Sequence, residues 1–107
     1  MNTTKIVKLN RVRLMDGMRQ NATRKFQEFF ANIQGKERGL NGFIILENDE
    51  DSNEVLVLTL WESQRDMDYY YSDNNKRLSN LVEEVKPMFE KMPERINYNV
   101  ASLELSN

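Results

Sequence analysis

Cysteine and histidine are both missing from the 107 residues. Their absence removes the thiolate nucleophile, the imidazole base and the usual zinc ligands. A Ser-His-Asp triad is excluded with them, and stoichiometric zinc, iron or copper is not expected. Also missing is any apolar run as long as a membrane span, and the opening "MNTTKIVKLN" lacks the apolar core of a signal peptide. No membrane partner is expected, and cytoplasmic residence is the expectation; a chain without cysteine is consistent with a reducing compartment. Nor is there an excess of one charge. Fifteen basic residues face 17 acidic ones, for a net charge of −2, and no basic stripe appears. Nucleic acid is therefore not expected as a partner.

What is present reads as one soluble domain over residues 1–107, 39% hydrophobic and 30% charged. "KIVKLNRVRL" (5–14) predicts a strand with Ile6, Lys8, Asn10, Val12 and Leu14 on one face and Val7, Leu9, Arg11 and Arg13 on the other. A helix from about 18 to 36 follows, because Ala22, Phe26, Phe29, Phe30 and Ile33 recur on one helical face. "GFIILEN" (42–48) and "EVLVLTLW" (54–61) flank the polar cluster "NDEDSN" and predict an antiparallel hairpin. Ser63 to Tyr71 predicts a short helix. A longer one begins near Asp73, carries Leu78, Leu81, Val82, Val85 and Phe89, and is kinked or ended by Pro87. "RINYNVASLEL" predicts a closing strand, with Ile96, Tyr98 and Val100 on one face. The order β-α-β-β-α-α-β is that of an α+β, ferredoxin-like split βαβ fold.

The third strand does not alternate as a half-buried strand should. Val55 and Val57 point one way with Thr59 and Trp61, while Leu56, Leu58 and Leu60 point the other. Helices cover only one face of a four-stranded sheet, so the second apolar face needs a cover. A second copy of the chain, packed sheet to sheet about a two-fold axis, supplies it most simply, since each buried Leu gains roughly 2 kcal/mol. A homodimer is expected.

The stretch "GLNGFIILENDEDSNEVLVLTLWESQRDMDYYYSD" (39–73) resembles the core of the antibiotic biosynthesis monooxygenase family. Members show a Gly-Phe start to the second strand, a third strand ending in Trp-Glu-Ser and an aromatic-rich helix after it. The likeness runs from the first strand to about residue 92 and is most specific in "LTLWES". It implies a dimeric α+β barrel with a pocket inside each protomer, between sheet and helices. "LNRVRL" on the first strand is similar to the haem-degrading branch, which implies for Asn10 a hydrogen bond to bound ligand or oxygen. That branch places an aromatic residue at Tyr69 or Tyr70, and its iron-ligating histidine at Ser79 or Asn80. Neither is a good iron ligand and no histidine stands in, so haem is disfavoured as a cofactor, with tyrosine as its one conceivable ligand.

Read from the residues themselves, Asn10 places an amide on an apolar strand face, where it must find a partner or incur roughly 1–3 kcal/mol. It serves either a ligand or a neighbouring strand. Trp61 offers a flat wall and an N–H donor, or caps the barrel rim. Tyr69, Tyr70 and Tyr71 project in three directions about 100° apart on a helix, so at most two face one pocket. Arg77 and Arg11 are candidate clamps for an anion, although a solvated surface role is the simpler reading of each. Phe26 and Asn80 join Arg77 as candidate substrate contacts. The loop "ENDEDSNE" has oxygen side chains at alternate positions but lacks the glycine and terminal glutamate of a calcium loop. Asn21-Ala22-Thr23 is a sequon set in a predicted helix. The expectation is a monooxygenase that uses no cofactor, acting with dioxygen on a small aromatic or quinol-like substrate through Asn10, Trp61 and Tyr69 or Tyr70. The alternatives are a haem protein with a non-histidine ligand and a non-catalytic dimer that binds a small molecule.

Overall fold

The computed structural model describes residues 3–106. Its elements are β1 (Ile6–Arg13), α1 (Arg19–Ile33), β2 (Leu40–Glu47), β3 (Glu54–Trp61), α2 (Gln64–Tyr70), α3 (Lys76–Val85) with a 3-10 turn over Lys86–Met88, and β4 (Glu94–Asn99). The strands form one antiparallel sheet in the order β2-β3-β1-β4. This is the ferredoxin-like α+β arrangement expected from the element order. No helix among the described residues is long and apolar enough to cross a membrane.

Each helix begins or ends where its chemistry requires. α1 is shorter than its periodicity suggests, because Gly35 turns the chain at φ +81°. Ser63 caps α2, accepting from the Asp66 N–H at 3.1 Å. Asn75 caps α3 in the same way through Leu78, so α3 starts at Lys76 and not near Asp73. Pro87 has no N–H for the ladder, and α3 gives way to the 3-10 turn just ahead of it. Gly39 is required at φ +78°, since a Cβ there would meet the Asp66 side chain at 2.3 Å.

The sheet has two unlike faces. Residues opposite one another in register share a face, so Ile6, Val12, Val55, Val57, Thr59 and Trp61 all turn inward beneath the helices. Ala22, Phe26, Phe30 and Ile33 of α1 and Leu78, Leu81 and Val85 of α3 complete that core. On the outer face, Ile44, Leu58, Leu9 and Ile96 form one apolar row across all four strands. Leu60, Val7 and Tyr98 lie on one side of it and Leu46 and Leu56 on the other. The three leucines of β3 therefore lie on the face that no helix covers.

β4 is shorter than the closing strand read from the sequence. It pairs with β1 from Arg11 to Ile6, and Asn99 takes the last of those partners. After Val100 donates to Lys5 the chain leaves the sheet. The acidic β2–β3 turn is held by arginines. Arg13 pairs with Asp51, and Arg19 donates to the carbonyl oxygens of Asn48 at 2.7 Å and Asp51 at 3.0 Å. Asn48 and Asp51 also accept backbone N–H groups within the turn. The turn is thus ordered by its own arginine and backbone donors.

Candidate functional site

A cavity of about 290 Å³ lies between the inner sheet face and α1 and α3. Its wall is almost wholly apolar, with Phe26 and Phe30 from α1, Val57 from β3 and Leu78, Leu81 and Val85 from α3. The wall is polar only at one end, where Asn10, Tyr71 and Arg95 meet. Such a cavity favours a small ligand that is mostly hydrocarbon with a few fixed polar atoms.

The polar end is built by register. Asn10 and Val57 are opposite one another on β1 and β3, and Arg95 opposes Asn10 from β4. Asn10 Nδ2 donates to the Val57 carbonyl at 3.0 Å and to Tyr71 Oη at 3.4 Å. A carbonyl accepts only, so this contact fixes which end of the amide is nitrogen. Asn10 Oδ1 then receives no hydrogen bond from any described residue, and an open acceptor is left at the cavity wall. Tyr71 Oη also lies 3.0 Å from Thr59 Oγ1, and Trp61 Nε1 donates to that same Oγ1 at 2.8 Å. Where Thr59 donates onward, Tyr71 accepts from two neighbours and its own hydrogen is free for a ligand oxygen.

Burial pushes the Tyr71 phenol above its ordinary value, with the hydrogen bonds from Thr59 and Asn10 and the charge of Arg95 opposing the shift. The phenol thus keeps its proton at neutral pH, and that proton goes either to Thr59 Oγ1 or into the cavity. Two cations flank its ring. Lys8 Nζ lies 4.6 Å and the Arg95 guanidinium carbon 5.0 Å from the ring centroid. Lys8 is pushed down by burial and then by Arg95, while Asp68 acts against both.

The structure brings Asn10 and Phe26 to the cavity, but it redistributes the other residues singled out in the sequence. Tyr69 is 74% exposed and borders a surface hollow beside Glu37 and Lys76. Tyr70 is 1% exposed, packs on Trp61 with ring centroids 5.1 Å apart, and has a buried hydroxyl with no partner among the described residues. Burial pushes its phenol far up. The tyrosine at the cavity is Tyr71, which neither alternative had named. Trp61 is fully buried behind Thr59, to which its N–H is given, and forms no wall of the cavity. Arg77 and Asn80 lie on a separate groove between α1 and α3, with Lys25 and Glu84. The α3 face they occupy is opposite the one that carries Leu78 and Val85. Arg11 points to the outer face beside Glu94. Thr59, Lys8 and Arg95 were missed, although strand alternation places Thr59 and Lys8 on the inward faces of Trp61 and Asn10.

Haem does not fit this donor set. Ser79 and Asn80 are exposed and off the cavity. The Tyr71 oxygen is already engaged by Asn10 and Thr59, and its burial opposes the phenolate that iron ligation needs. Among the described residues no three carboxylates gather as a metal site.

A split βαβ sheet with a mostly apolar cavity under its helices, and a hydrogen-bonded phenol at the cavity's polar end, defines the domain. The chain belongs to the antibiotic biosynthesis monooxygenase family, whose model matches residues 5–75. A candidate member from Nitrosomonas europaea superposes with a TM-score of 0.79 at 10% identity, covering 94% of each chain. One from Caulobacter crescentus gives 0.78 at 10% identity, over 94% of this chain and 93% of that one. A conserved protein of Bacteroides thetaiotaomicron, described as a possible oxidoreductase, gives 0.72 at 15% identity over 91% and 99%. At these identities the likeness establishes the fold. No curated protein matches the sequence at a significant level.

Proposed function

We propose that the protein is a monooxygenase that oxidises a small phenolic or quinol-like aromatic with dioxygen, using neither metal nor flavin. The observation that carries this reading is the Trp61–Thr59–Tyr71–Asn10 hydrogen-bonded group set at the one polar end of an otherwise apolar cavity. Such a substrate supplies all the electrons itself. At an activated ring methylene, one oxygen atom of dioxygen becomes the carbonyl that replaces CH₂, and the other leaves as water with the two hydrogens. The protein's part is to exclude water, accept the substrate O–H at Asn10 Oδ1 and donate from Tyr71 to the oxygen that gains charge.

Oxygen uptake with a panel of hydroquinones and anthrones, in buffer stripped of metal and flavin, tests the proposal. We expect uptake with at least one compound and its loss by roughly 10²–10⁴-fold in Tyr71→Phe, as for removal of a proton donor. Asn10→Ala should fall similarly while still folding. No uptake above the rate without protein, across the panel, refutes it.

The reading extends to assembly. The apolar row Ile44–Leu58–Leu9–Ile96 suits a second copy of the same face, and we take the protein to act as a homodimer with sheets back to back.

A further inference from the structure

The mouth of the cavity carries a charge pattern that a neutral phenol does not explain. β4 is an edge strand, and its inward residues Arg95, Asn97 and Asn99 lie exposed opposite Asn10, Lys8 and Ile6 of β1. These paired inner faces hold two cations and three amides, and no carboxylate. Every acidic residue of β4 and its approach is committed elsewhere. Glu94 turns outward to Arg11 and Lys91, and Glu90 pairs with Arg13. Asp68, from α2, is the one acid acting on Lys8, and it forms no ion pair within 4.0 Å of it. Arg95 has no ion-pair partner among the described residues, and its charge acts against that of Lys8. Tyr71 holds both through its ring face, which stabilises cations but leaves their charge uncancelled.

We infer that the ligand of this cavity is an aromatic carboxylate. Its ring system fills the apolar interior, and its carboxylate lies at the mouth on the planar fork of Arg95, with Lys8 adding charge from behind Tyr71. Size sets the scale of the ring system: a cavity of ~150 Å³ holds a benzene ring, so about 290 Å³ has room for at least two fused rings. This rests on the oxygenase reading only for the location of the site. The binding it predicts needs no turnover.

The experiment uses the full chain and two probes that differ in one group, 2-naphthoate and 2-naphthol. Binding is followed by calorimetry at neutral pH in low and high salt. The carboxylate should bind about tenfold tighter than the phenol, the low end for a charge-assisted hydrogen bond at a wet site. Arg95→Gln should remove that preference and leave naphthol affinity as it was. Arg95→Lys should restore part of it, and salt should weaken naphthoate alone. Arg24→Gln, on the far side of α1 beside Glu28, serves as the control and should change nothing. Equal affinities, a preference for naphthol, a preference that survives Arg95→Gln or no binding of either probe overturns the inference. Tight naphthoate binding without oxygen uptake on any substrate sinks the oxygenase and keeps the acid site. Uptake on neutral phenols with no preference for the acid does the reverse.

Discussion

Removing one oxygen atom from either of two adjacent tyrosines should have opposite consequences. Tyr70→Phe deletes a buried hydroxyl with no partner among the described residues. A buried polar group left unpaired costs about 1–3 kcal/mol, while the void left by one oxygen, too small for water, gives back part of that gain. The ring contacts with Trp61 and Tyr71, at 5.1 and 4.8 Å between centroids, do not depend on the oxygen. The net expectation is a gain of about 1 kcal/mol, or roughly 4 °C in Tm for a chain of this size, with turnover unchanged. Tyr71→Phe deletes a hydroxyl that bonds Thr59 and Asn10. It leaves a buried Thr59 hydroxyl and one Asn10 N–H short of a partner, so a loss of about 1–2 kcal/mol is expected, together with the collapse of activity. Thermal melts and oxygen uptake on the same preparations measure both. A Tyr70→Phe chain that melts lower by several degrees would show that its hydroxyl has a partner. A Tyr71→Phe chain that is destabilised but fully active per folded molecule would make the whole hydrogen-bonded group structural.

Leu58 points away from the core, so Leu58→Asp should leave the fold intact and split the dimer. Two-fold symmetry counts the loss twice, at least ~4 kcal/mol in all, or about a thousandfold in dissociation constant. Sedimentation and circular dichroism read the two effects separately, and a dimeric Leu58→Asp chain refutes the proposed interface. A second expectation concerns alkali. Burial raises the phenols of Tyr70 and Tyr71, so the folded chain keeps protons that the unfolded chain releases above the ordinary phenol value of about 10. Stability is then fully present below about pH 10 and declines above it, by at most about 1.4 kcal/mol per pH unit for each group. Melts between about pH 8 and about pH 11 should show this decline, shallower in Tyr70→Phe; equal slopes in both chains would contradict it.

The period-two pattern of β3 made its two faces legible, and with them the outer apolar row and the inward turn of Asn10. Element order did the rest for the fold. The tyrosine was not legible, for a reason that lies in the helix end. Within α2 the 100° step puts Tyr70 on the face of buried Met67 and sends Tyr69 outward. Tyr71 is the C-cap, its N–H still on the Met67 carbonyl and its direction only about 40° around from Met67. Tyr70 and Tyr71 both fall on the covered side, so helical spacing does not say which of the two rings turns toward β1. Arg77 and Asn80 were misplaced although the sequence held the signal. Leu78, Leu81, Val82 and Val85 already marked the covered side of α3, and Asn80 lies about 200° around the helix from Leu78. Arg95 was hidden because β4 is an edge strand whose inner side is wet, so no apolar alternation marked it as inward.

The same alternation that builds the site also ties it to the outer face. Along β3, Val57, Thr59 and Trp61 serve the cavity and Leu56, Leu58 and Leu60 serve the opposite surface, one residue apart. A slip of one position would exchange them and put Leu58 or Leu60 where the phenol needs a hydroxyl. The bond from Trp61 Nε1 to Thr59 Oγ1 joins residues i and i+2 on one face and leaves Thr59 bound to that face. The extra residue at the Leu40–Gly42 irregularity then lets β2 follow Trp61 without shifting the register of Phe43 to Glu47 below it. The cavity inside and the apolar row outside can thus be altered one at a time by single substitutions, provided the register is kept. The site's hydrogen-bonded group is itself part of what keeps it.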